Sequence, residues 1–133
     1  MFAEINWLGV LLAAVGAMAV GSLWYSPVLF AKAWQAELGK TMDQLGNPLF
    51  SMINAAIMFL IAATGLSVVF RWAGVAGMES ALATAAIVWV FFAATMQLLA
   101  DRFQGLSIKL SLITAGNTFC SFLAMGAIIQ ALR

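Results

Sequence analysis

The sequence predicts an all-α integral membrane protein, a four-helix bundle with a short interfacial helix between its first and second crossings. Three observations carry this. Of 133 residues, 65% are hydrophobic and 8% charged, where soluble domains average about half and about a quarter; the mean hydropathy is +1.05. The chain divides into long uncharged stretches at about 6–26, 48–70, 80–100 and 108–132, each able to cross a ~30 Å hydrocarbon layer at ~1.5 Å per residue. Aromatic and basic residues gather where those stretches end, as membrane anchors do. Together they read as a single transmembrane domain over 1–133.

The stretch Gly21–Trp34, GSLWYSPVLFAKAW, is the clearest boundary. Trp24, Tyr25, Lys32 and Trp34 are expected as interfacial anchors, because ring and alkyl parts favour hydrocarbon while their polar ends need water or headgroups. Ser26 and Pro27 suggest the end of one helix and the N-cap and first residue of another, over about 27–38, which Gly39 would close. Thr41 and Gln44 have capping-box spacing. Asn47 and Pro48 suit a cap and first position for the second crossing, and Ser80 a cap for the third. In the first crossing Gly9, Ala13, Ala17 and Gly21 recur every fourth residue, a candidate helix-packing seam where another backbone can approach closely.

Composition narrows the function. The net charge of +1 and the lack of a Lys/Arg cluster give no footprint for nucleic acid. Without histidine, and with the single Cys120 in an apolar run, no catalytic set of nucleophile, acid and base can be assembled, and no enzyme, cofactor or metal site is expected. Eight methionines lie scattered, as packing residues do. Ionisable groups, Glu79 and Asp101 among them, fall at predicted boundaries, where water or headgroups would solvate them; Gln97 and Gln130 are expected to reach for the same boundaries. In the fourth crossing Ser111, Thr114, Thr118 and Ser121 follow a helical step, with Asn117 beside them. Asn54, Thr114, Asn117, Thr118 and Ser121 form the candidate polar intramembrane cluster, with Asn117 expected to pair with Asn54, Ser51, Thr84 or Thr95.

Asn6-Trp7, the GSLWYSPVLFAKAW block, Glu37-Leu38-Gly39 and the tail from Asp101 through Lys109-Leu110 to Met125-Gly126-Ala127-Ile128 resemble the small bacterial membrane proteins of domain-of-unknown-function family 1761. The resemblance covers nearly the whole chain, and its most specific part is Trp24-Tyr25-Ser26-Pro27 followed by Lys32-Ala33-Trp34. It implies a four-helix membrane protein and no established activity. Relatives often carry a Tyr-His pair near the positions of Asn117-Thr118, so its absence here puts any shared chemistry in doubt.

The expected function is therefore that of a structural or accessory helical subunit acting through helix contacts among membrane lipids, as a homo-oligomer or part of a larger membrane complex. The alternative is a small oligomeric transporter or channel for a small solute, built on the polar face of the fourth crossing. Lys32, Lys40, Arg102 and Lys109 outnumber Arg71 and Arg133 across the two flanks. The excess predicts both termini outside; the resemblance implies a bacterial membrane, taken as the inner one.

Overall fold

The computed structural model describes residues 2–133, without the side chain of Met42. Four helices are long and apolar enough to cross a membrane, at Trp7–Trp24, Pro48–Trp72, Met78–Phe103 and Ile108–Ala131, and no strand occurs among the described residues. The all-α membrane bundle is what the uncharged stretches predicted.

Helix α1 (Trp7–Trp24) begins on Asn6, whose side-chain oxygen accepts from the Gly9 N–H at 3.3 Å. The Asn6 amide also donates to the Leu132 carbonyl at 2.6 Å, tying the first crossing to the end of the last. After α1 the chain departs from expectation. Ser26 does not cap a helix: its hydroxyl donates back to the Leu23 carbonyl at 2.6 Å. Residues 26–30 form turns, closed by Phe30 N–H to Trp24 carbonyl at 2.9 Å. The interfacial helix α2 is therefore Ala31–Leu38 rather than about 27–38. Pro27 brings no N–H to a helical ladder, and Ser26 folds back on the last turn of α1, its N–H as well as its hydroxyl reaching the Leu23 carbonyl.

The following signals read as expected. Gly39 closes α2 with φ +70°, and Gln44 accepts from the Thr41 N–H at 3.0 Å around a single turn. Asn47 caps α3 (Pro48–Trp72), accepting from Leu49 N–H at 2.9 Å. The third crossing comprises α4 (Met78–Val88), a wide π turn over Trp89–Ala94 and α5 (Thr95–Phe103). Gly77, not Ser80, stands at its N-cap; Ser80 lies one turn in and reaches back to the Gly77 N–H at 3.2 Å. Helix α6 (Ile108–Ala131) is capped by Ser107.

Helix α6 is the hub, packed most extensively on α1 and α4. The Gly9/Ala13/Ala17/Gly21 seam is spent on this packing: Ala13 and Ala17 are fully buried, and added methyl carbons at Gly9 and Gly21 would stand 3.7 Å from Leu132 Cβ and Asn117 Oδ1. It therefore serves the interior of one chain.

The two halves of the bundle differ. The apolar core, with Ala13, Ala63, Phe70, Ala85 and Met125, lies toward the terminal end, which Glu4 paired with Arg71 and Arg133 bonded to the Val75 carbonyl close over. Toward the α2 end packing loosens. Every buried residue of α3 lies between Ala63 and Phe70, while Leu49, Phe50, Met52 and Ile53 in its first turns are exposed. That half of α3 leaves room beside α1 and α6.

Candidate functional site

The loosened end holds an aromatic group set against α6. The Trp24 ring lies over Gly116, where an added methyl carbon would come within 2.6 Å of its Cζ2. Its indole N–H donates to the Ile113 carbonyl at 2.9 Å. Tyr25 stacks on Trp34 at 4.7 Å between ring centroids, and Trp24 on Phe30 at 4.6 Å. Of the expected anchors only Lys32 is exposed; Trp24, Tyr25 and Trp34 are half-buried. Gly116→Ala should push the rigid indole outward and break its bond to Ile113, costing about 1–2 kcal/mol, to be read as a lower melting temperature in detergent.

The polar stripe on α6 finds partners in the third crossing. Ser111, fully buried, donates to Asp101 Oδ2 at 2.8 Å and accepts from Arg102 at 2.6 Å. Gln97 donates to the Thr114 hydroxyl at 2.6 Å. Trp89 donates to the Thr118 hydroxyl at 2.9 Å. Ser121 bonds its own helix at Asn117 O, 2.8 Å. The π turn at Trp89–Ala94 shifts the register of the residues after it, and Trp89 and Gln97 flank that shift.

Asn117 differs. Only 8% exposed, it leaves Oδ1 without a hydrogen-bond partner. None of its expected partners reaches it: Asn54 and Ser51 are exposed on α3, Thr95 bonds the Phe91 carbonyl at 3.0 Å, and Thr84 forms no side-chain hydrogen bond among the described residues. The first turns of α3 stand away from α6, so residues at compatible depth are separated laterally. Asn117 instead faces a cleft of about 350 Å³ walled by Gly21, Tyr25, Ser51, Met52 and Phe59. The cleft adjoins a larger cavity of about 740 Å³ at the bundle mouth, bounded by Tyr25, Trp34, Asp43, Pro48 and Ser51. Burial pushes the Tyr25 phenol up to about 12, so it stays protonated at neutral pH. Asn117 acts in the opposite sense on it, through a contact looser than a formed hydrogen bond.

Behind the Tyr25–Trp34 pair lies a separate cavity of about 310 Å³ that reaches Gln97, Asp101, Thr114 and Thr118. Asp101, expected as a solvated boundary charge, is 9% exposed, and Gln97 turns inward rather than toward the boundary. Glu79 is exposed at the opposite end, as expected.

A family model described as protein of unknown function, DUF1761, matches residues 8–130. This chain belongs to that family. No curated protein and no solved structure matches it. In this DUF1761 protein the stripe on α6 was legible from spacing, but Trp89, Gln97, Asp101 and Arg102 were missed as its partners. One signal was available: Gln97 and Asp101 are four residues apart and share a helical face. Among the described residues no cluster of metal-ligand type occurs, and Cys120 is half-buried in α6.

Proposed function

We propose that this membrane protein is a binding protein rather than an enzyme, and that it takes a small neutral amphipathic molecule from the surrounding lipid into the cleft beside the first half of α3. The observation that carries this is Asn117, a residue nine-tenths buried that lines the cleft and whose buried Oδ1 has no hydrogen-bond partner. A buried acceptor left unpaired is unfavourable by about 1–3 kcal/mol, and an O–H or N–H group on a ligand would relieve it. Met52 and Phe59 offer an apolar wall for the rest of such a molecule.

Monoacylglycerol is a suitable probe. Native mass spectra of the protein released from nanodiscs should show it retained by the wild type. Retention should fall about tenfold for Asn117→Leu, which removes an interaction of about 1.4 kcal/mol, and for Gly21→Leu, which fills the cleft. Equal retention by all three proteins, each with an unchanged melting temperature, would sink the proposal.

A specific observation favours assembly as a second reading. Asn54 is exposed on a membrane-spanning helix without a side-chain hydrogen bond among the described residues, and an amide in hydrocarbon favours a partner helix. As a homo-oligomer or accessory subunit, the chain should lose association on Asn54→Leu; a monomeric native mass for the wild type in nanodiscs would count against the homo-oligomer. Transport asks more of the fold, since Phe70, Ala81, Ala85 and Met125 are fully buried beyond the cleft. The Lys/Arg excess at the α2 end supports placing that end in the cytoplasm and both termini outside.

A further inference from the structure

We infer that the cavity behind the Tyr25–Trp34 pair is a site for a small organic cation, an ammonium carrying apolar substituents. This goes beyond the cleft proposal and does not rest on Asn117, although Tyr25 borders both spaces.

Asp101 supplies the charge. It is 9% exposed and borders the cavity. Its hydrogen bonds all fall on Oδ2, from Ser111 at 2.8 Å and, at the limit of reach, from Gln97 at 3.5 Å. Oδ1 receives none, and no basic side chain forms an ion pair with Asp101 among the described residues. Arg102, next in sequence, is exposed and held by the Ser107 carbonyl at 3.1 Å and the Ser111 hydroxyl at 2.6 Å. Its charge reaches Asp101 through that hydroxyl. Asp101 is packed away except at Oδ1, which is not among the buried unpaired atoms and so stays accessible without a protein partner; such a carboxylate can take a cation from the cavity.

The walls select which cation. Tyr25 and Trp34 present two aromatic rings 4.7 Å apart at the cavity edge, and ring faces attract cations that have shed their water. Leu38, Leu106 and Leu110 line much of the remainder. A hard metal ion needs several oxygen ligands at once, whereas an alkylammonium needs one counter-charge and apolar contact, the combination present here.

Benzyltrimethylammonium titrated into the detergent-solubilised full-length protein should quench tryptophan fluorescence saturably. Its uncharged carbon analogue, neopentylbenzene, should bind at least about tenfold more weakly, the loss of one ion contact. Asp101→Asn should weaken the cation by a similar factor and leave the neutral analogue unchanged. Trp34→Leu, on the partly exposed α2, should weaken it as well. Asn117→Leu should leave the cation's affinity unaltered while lowering the retention of monoacylglycerol about tenfold. Absence of saturable binding, equal binding of the two probes to the wild type, or affinity lost in Asn117→Leu but kept in Asp101→Asn would each overturn the assignment. The two-probe comparison needs no variant, so it decides the matter even if Asp101→Asn does not fold.

Discussion

Gly126→Leu should separate α6 from α4 and destabilise the bundle by about 3 kcal/mol or more, the upper range for overpacking a close-packed interior. A methyl carbon at Gly126 would already stand 3.0 Å from Ala85 Cβ, 3.4 Å from the Phe70 ring and 3.5 Å from the Ala81 carbonyl. Two of these neighbours cannot yield cheaply: the Ala85 methyl is fixed to its helix, and the Ala81 carbonyl belongs to the backbone. Leucine adds three further carbons in the same place. Its better helix propensity returns only about 0.8 kcal/mol, so the clash dominates. Denaturation with a graded fraction of sodium dodecyl sulfate, followed by circular dichroism, should show the midpoint shifted down. A midpoint within error of the wild type would mean that α4 and α6 do not meet at Gly126.

Phe70→Ala should cost about 3 kcal/mol, near the lower end for aromatic truncation in a closed core. Phe70 is fully buried and reaches across from α3 to Gly126. Little of the loss is hydrophobic transfer, because lipid is as apolar as the bundle interior; it is the contact made by a ring that no lipid chain can replace in a closed space. Phe91→Ala provides the contrast. Phe91 is 65% exposed, and its removal should leave the midpoint nearly unchanged. Because Phe70 and Gly126 touch, Phe70→Ala combined with Gly126→Leu should be less harmful than the sum of the two single changes, the new side chain occupying part of the vacated space. Strict additivity would show that they do not share that space.

Both substitutions act in the terminal half, where small residues and one large ring set the helix spacing. The α2 half is stabilised differently, by hydrogen bonds between α6 and the third crossing and by aromatic stacking. Its cavities explain why binding is proposed there and stability is tested at the other end.

Much of the local structure was legible from residue types. Asn47-Pro48 opened α3 and Gly39 closed α2 because those signals act within one turn of chain. Ser26-Pro27 was misread because the same pair can start a helix or serve the end of the preceding one, and here both the hydroxyl and the N–H of Ser26 turn back to the Leu23 carbonyl. The seam in α1 was recognised as a close-approach surface, but periodicity does not say which helix approaches. Asn117 was rightly placed in the interior and assigned partners it does not have.

The amino-acid sequence alone determined that this is a four-crossing helical membrane protein, since apolar length and the places where charge and aromatics interrupt it are properties of successive residues. Tertiary structure alone decided that α6 fills the α1 seam, that α3 splays at one end, and that Asp101 and Gln97 turn inward while Asn117 remains unpaired. Those outcomes depend on relative helix placement, and a hydrogen bond forms or fails over about an ångström, a distance that no one-dimensional pattern encodes.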